Sequence, residues 1–182
     1  MDSGHRTAAA QHPDLEAGTD ADADPDAVAR AIVLRQLTGS PKSRKQLEDA
    51  LRRKDCPGDS AERVLDRFEE LGLVDDTAYA RTFVRSKQTG RGLARRALAH
   101  ELRAKGVDDE VIEDVLTEVD PEQERARAHE LVAKKLRSMH GLDRAKQTRR
   151  LSGMLARKGY DAEVSRLVVN EALEAAAEHV RD

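Results

Sequence analysis

One pattern recurs three times along the chain: Ala29-x-x-Ile32-Val33, Ala80-x-x-Phe83-Val84 and Ala128-x-x-Leu131-Val132, at offsets of 51 and 48 residues. Residues three and four apart share one face of an α-helix, so each pattern marks the inward stripe of a helix. Behind each comes a pair at i and i+4, namely Leu47/Leu51, Leu98/Leu102 and Leu151/Leu155. A third cluster then follows: Val64/Leu65/Phe68, Val111/Ile112/Val115 and Val164/Leu167/Val168. This self-similarity predicts three tandem units of three helices. The turn between the second and third helices repeats most closely, as Lys105-Gly106-Val107-Asp108-Asp109-Glu110-Val111 and Lys158-Gly159-Tyr160-Asp161-Ala162-Glu163-Val164. Gly takes the left-handed conformation that ends a helix, the apolar residue after it packs back, and Asp caps the next helix. In the first unit this turn is four residues longer, through Cys56-Pro57-Gly58-Asp59-Ser60, with Ser60 as the expected cap.

Composition agrees with narrow helical stripes. Only 38% of the chain is apolar and 37% is charged, and with 2% aromatics and no Trp the packing falls to Leu, Val, Ile and Ala. Such a thin core excludes a broad β-sandwich. From Pro25 onward apolar residues recur at three- and four-residue spacing with no sustained alternation. The expected fold is therefore all-α: three tandem three-helix repeats in an elongated, curved array. Residues 1–25 are rich in Ala, Asp, Gly and Thr and cannot bury enough surface to offset the entropy of ordering, so they are expected to form a disordered acidic tail. The expected repeats span 26–74, 75–120 and 121–180.

Several functional classes fall away. No stretch approaches the roughly 20 apolar residues of a membrane span, and Met1-Asp2 does not open a secretory signal. The single Cys56 has no internal disulfide partner, which fits a reducing cytoplasm. His100-Glu101 and His129-Glu130 open like zinc-protease helices, but Ala104 and Ala133 stand where a second His is required. No phosphate loop follows a predicted strand, and Gly90-Arg91-Gly92 reads as a short hinge between helices. The expectation is a binding protein with no catalytic residues, metal or cofactor.

The charge is polarised along the chain. Seven acids face Arg6 alone in residues 1–28, whereas residues 77–107 hold eight Lys/Arg against Glu101, and residues 125–158 hold eleven against Glu130 and Asp143. On helices these cations point outward: Arg81 and Arg85 opposite Tyr79, Ala80 and Phe83, then Arg96 and Arg103 opposite Ala94, Leu98 and Leu102. Arg95 lies at the edge of that face and Arg91 links the two helices. Lys134, Arg137, Arg149, Arg150 and Arg157 repeat the theme. Local carboxylates to pair with them are missing, so an anionic partner is expected, and phosphate backbone answers without base contacts. A solvated face with no partner is the alternative. Scarce aromatics argue against base stacking, so contact is expected to be sequence-independent. Glu101, on the apolar face, and Lys87 break the pattern; a buried network between units or snorkelling from a helix end would satisfy either, and both readings stay open.

The stretch Leu71-Gly72-Leu73-Val74-Asp75-Asp76-x-x-Tyr79-Ala80-Arg81-x-Phe83-Val84-Arg85-Ser86-Lys87, continuing through Gly90-Arg91-Gly92 to Glu101-Leu102-Arg103-x-Lys105-Gly106-Val107, resembles the signature of the bacterial RecX family. The likeness extends more weakly from about residue 27 to 178. It implies three three-helix repeats and a modulator of the RecA recombinase. Such a protein binds the RecA–DNA filament along its groove, limits its extension, and dampens its ATPase, strand-exchange and coprotease activities in DNA repair and the SOS response. Direct binding of single- and double-stranded DNA is implied too. On packing grounds Tyr79, Phe83 and Leu102 go to the core, Asp75 or Asp76 to a helix cap, Gly90, Gly92 and Gly106 to turns, and the arginines to the interface. The acidic tail departs from a minimal member of the family. A monomer with no membrane contact is expected.

Two other readings compete. A winged-helix DNA-binding regulator fits Ser43 to Asp76 but lacks a strand pair for the wing, because Tyr79 onward is helix-periodic. A helical-repeat adaptor would bind protein only, its arginines meeting acidic partners.

Overall fold

The computed structural model describes residues 24–179, all of whose regular structure is helical. The helices are α1 (Pro25–Gly39), α2 (Arg44–Arg52), α3 (Gly58–Glu70), α4 (Asp76–Arg91), α5 (Arg95–Ala104), α6 (Asp109–Thr117), α7 (Pro121–Leu136), α8 (Arg144–Arg157) and α9 (Ala162–His179). The expected acidic tail lies outside the described residues except at its end. There Asp24 accepts from the Asp26 amide and starts α1.

The first helix of every unit begins with an aspartate cap. Asp75 accepts from the Ala78 amide at 2.9 Å and Asp120 from Glu122 at 2.9 Å, as Asp24 does at α1, so each satisfies an amide that has no partner within its helix. The extensively packed helix pairs lie within units: α1 and α2 with α3, α4 with α6, α5 with α6, and α7 and α8 with α9. Three separate cores result. The leucine pairs Leu47/Leu51, Leu98/Leu102 and Leu151/Leu155 are all fully buried, with Ala29, Val33, Ala80, Val84, Ala128 and Val132 beside them. The third helix of the last unit departs from expectation: Leu167 is exposed and Val164 half-buried, while Val168 and Val169 are buried. A rotation of α9 by about one residue, 100° on a helix, exchanges those faces.

Other local expectations are corrected. Ser60 does not cap α3, which starts two residues earlier behind Pro57; its hydroxyl accepts from Arg63 instead. Gly90 and Arg91 are not a hinge, because α4 runs on through Arg91 and only Gly92 turns left-handed, at φ 60°. Tyr79 and Phe83 are half-buried, tilted against each other at 6.1 Å, whereas Leu102 is fully buried.

The units meet through one joint used twice. At the first, Arg44 opens α2 and donates its amide to Asp76 at 2.7 Å; at the second, Arg95 opens α5 and donates its amide to Glu124 at 3.0 Å. In both, an acid on the next unit's first helix satisfies an amide the preceding unit leaves open. The next unit's glycine turn closes the same joint. The Lys105 carbonyl accepts from Ser43 Oγ, and the Lys158 carbonyl from the Ala94 amide at 2.8 Å. Gly106 (φ 74°) lies against Lys45 and Gly159 (φ 85°) against Ala97, each so close that a Cβ would overlap its neighbour. Ala94 is fully buried and belongs to the core of the third unit. Tyr160, which follows the glycine, is also buried, and its hydroxyl donates to the Gly92 carbonyl at 3.1 Å.

Two outcomes are expected. Gly159→Ala should lower stability by about 2 kcal/mol or more, from the left-handed backbone and the overlap with Ala97. Gly58→Ala, with open space around it, should stay within about 0.5 kcal/mol; thermal unfolding followed by circular dichroism compares them. Burial pushes the Tyr160 hydroxyl up to about 12, with Glu124 adding to it. The folded state therefore holds this proton more tightly than the unfolded chain, and that stability, complete below pH 10, is lost between about 10 and 12. Tyr160→Phe should cost about 0.5–1.5 kcal/mol at pH 7 and make the alkaline decline in a urea-denaturation pH series shallower.

Candidate nucleic-acid interface

The eleven cations expected at an interface divide by what folding brings opposite them. On α4, Arg81 makes a forked pair with Glu118, just past the end of α6: Nη2 lies 2.7 Å from Oε1 and Nε 2.9 Å. That contact raises the arginine's pKa and lowers the carboxylate's. Arg91 pairs with Glu101 at 2.7 Å across the α4–α5 turn, and Arg103 with Asp109 at 2.5 Å. Arg95 donates Nη2 to the Val119 carbonyl, and its buried Nε, without a hydrogen bond, stands 3.9 Å from Glu124 in the second joint. The expectation that partners are missing therefore fails for Arg81, Arg91, Arg95 and Arg103. Two of the partners, Glu118 at 37 residues from Arg81 and Glu124 at 29 from Arg95, lie where counting local charge does not reach.

The remaining seven are left without a carboxylate. Among the described residues, Arg85 and Arg96 in the second unit and Lys134, Arg137, Arg149, Arg150 and Arg157 in the third are exposed and make no ion pair. Five of these seven stand in the third unit. Arg96 and Arg157 come together on one cavity between α5, α8 and α9. Arg137 is apart from them, on a larger and mainly apolar cavity among α7, α8 and α9. Arg85 and Lys134 line neither of these cavities.

The two residues left open by the sequence are now placed. Glu101 is half-buried and paired with Arg91 inside its own unit, and the Lys87 ammonium lies 5.1 Å from the centroid of the Phe83 ring, a cation–π contact. Asp75 caps α4, whereas Asp76 serves the joint; its burial raises its pKa, opposed by the Arg44 amide. Sequence reading missed Arg166 and His100, which line the same cavity as Arg96 and Arg157. Arg166 lies outside the two basic blocks, and a helical plot of α9 against Val168 and Val169 is the signal that turns it outward. His129 is taken by Glu171 at 3.1 Å, and among the described residues no group of three His, Cys, Asp or Glu could hold a metal. No described helix is long and apolar enough to cross a membrane.

Comparison with known proteins matches three family models in order along the chain: "RecX, first three-helix domain" over residues 29–68, "RecX, second three-helix domain" over 75–116, and "RecX, third three-helix domain" over 122–169. The "Regulatory protein RecX" of Streptomyces lividans is 56% identical over 151 residues, 83% of this chain and 80% of that one. That of Thermobifida fusca is 49% identical over 158 residues, 87% and 85% of the two chains. Among solved structures, that of RecX from Lactobacillus salivarius superposes with a TM-score of 0.76 at 21% identity, covering 82% of this chain and 97% of that one. At that identity the structural likeness carries the fold alone.

Because Arg81 and Glu118 are each about half exposed, their pair should contribute little despite its fork. A double-mutant cycle with Arg81→Gln and Glu118→Gln, read by urea denaturation, should give a coupling under about 1 kcal/mol that shrinks as salt is raised.

Proposed function

The chain belongs to the RecX family, and from that premise we propose that it regulates the RecA recombinase by lying along the RecA–DNA filament, with its unpaired cations on phosphates. The observation that supports this reading is the set of seven exposed, carboxylate-free cations, five of them in the third unit. Lys and Arg on phosphates release condensed counterions, so such a surface gains most from a polyanion and little from an isolated carboxylate. The aromatics support contact without base readout. Phe68 and Tyr160 are buried, and Tyr79 and Phe83 are half-buried with the Lys87 ammonium on Phe83, so no exposed ring is left to stack on a base. A protein acting this way needs no catalytic group, binds single and double strands alike, and works as a monomer in the cytoplasm. By occupying the filament it dampens extension, ATPase, strand exchange and coprotease activity. The winged-helix reading loses its support, since the segment after Asp76 that would form the wing is α4.

The test is the RecA ATPase on single-stranded DNA with the purified chain added. Inhibition is expected, together with DNA binding that falls steeply with salt. Arg149→Glu with Arg150→Glu should weaken both by about tenfold or more and reduce the salt slope by about two phosphates, with helicity unchanged by circular dichroism. Arg81→Gln should have a much smaller effect. Full inhibition by the Arg149/Arg150 variant would remove the third unit's basic face from the reading, and no DNA binding even at low salt would favour a protein-only adaptor.

A further inference from the structure

The second joint encloses more than packing. Where α5 meets α8 and α9 it leaves a cavity of about 550 Å³, into which the second unit brings Arg96 and His100 and the third brings Arg157 and Arg166. No Asp or Glu lines it. None of its three arginines makes an ion pair among the described residues, so three like charges line one cavity without a carboxylate among them. The wall holds a second, independent sign. Ser165 lines the same cavity, is only 5% exposed, and its Oγ is shut off from water without any hydrogen-bond partner. A buried hydroxyl left in that state is destabilising, and natural folds rarely leave one without a use.

We propose that this cavity is a seat for one phosphate group, held between the second and third units by Arg96, Arg157 and Arg166, with the Ser165 side chain turning its hydroxyl into the cavity as a neutral donor. Guanidinium forks match pairs of phosphate oxygens, and a phosphate offers enough oxygens for three arginines and a hydroxyl where a carboxylate offers two. His100 adds a further donor at the rim. Because the donors come from both units, the site exists only while the joint is closed, and a bound phosphate ties α5 to α8 and α9. The inference rests on the preceding reading only in taking phosphate as the anion. It adds a defined pocket to what was a surface.

The full chain, labelled with ¹⁵N, is titrated with inorganic phosphate at low ionic strength, with chloride at matched ionic strength as control. Saturable shifts are expected at the Ser165, Arg166 and Ala97 amides with phosphate and not with chloride. Arg157→Gln with Arg166→Gln, both exposed and so compatible with folding, should weaken that binding about tenfold or more, and Ser165→Ala several-fold. Arg149→Gln with Arg150→Gln should leave it unchanged. A short oligothymidylate distinguishes the source: the same shifts at lower concentration identify a strand phosphate, whereas strand binding that leaves these amides still identifies free phosphate as the occupant. Absence of saturable shifts, equal shifts with chloride, or an undiminished response in the Arg157/Arg166 variant would overturn the seat. Phosphate binding here alongside an unaffected RecA ATPase would keep the seat and sink the filament reading instead.

Discussion

Everything in this molecule depends on how one backbone amide is satisfied. A three-helix unit leaves the first amides of its second helix open, and here the opening amide goes to a carboxylate on the neighbour: Arg44 to Asp76, Arg95 to Glu124. An orphaned amide in such a half-buried place costs on the order of 1–3 kcal/mol, so each unit is completed by the next. The glycine turns then fix the distance, because Gly106 lets the Lys45 side chain and Gly159 the Ala97 backbone approach where a Cβ would collide. The array is thus a chain of specified joints between units with separate cores.

This explains which parts of the fold could be read from the sequence. Leucine pairs at i and i+4 and the Ala-x-x-x-Val stripes report burial within a unit, and they are buried as their spacing requires. The Lys-Gly-apolar-Asp turn was legible as a helix stop for the same local reason. Its larger role was not, since the steric need for Gly159 comes from Ala97 in another unit. Asp76 is similar: the pattern assigned a cap to Asp75 or Asp76, and only the fold shows that one caps its own helix while the other serves the preceding unit.

Charge was read less well than shape, for a physical reason. Helical spacing is set by residues three or four apart, whereas an ion pair can join groups far apart in the chain. Counting acids near Arg81 finds none that face it, yet α6 packs on α4 and delivers Glu118. The same count was right for Arg149 and Arg150, because no acid on α7 or α9 is delivered to them among the described residues. Which of these cations are paired therefore follows from where Glu118, Asp109 and Glu124 lie, and not from the density of arginines.

The two kinds of arginine then have different physical work. Arg95 and Arg91 hold the second joint, Arg95 through its amide on Glu124 and Arg91 by a backbone oxygen that accepts from the Lys158 ammonium. Their charges are spent internally, and that fixes where the unpaired cations of the third unit stand relative to Arg96 of the second. A partner that met these cations on a loose chain would have to order them first, at a cost in conformational entropy. On a jointed array that cost is met on folding, so a weak contact at each phosphate is enough when several are made at once. The proposed function therefore depends on the closed joints as much as on the positive charge.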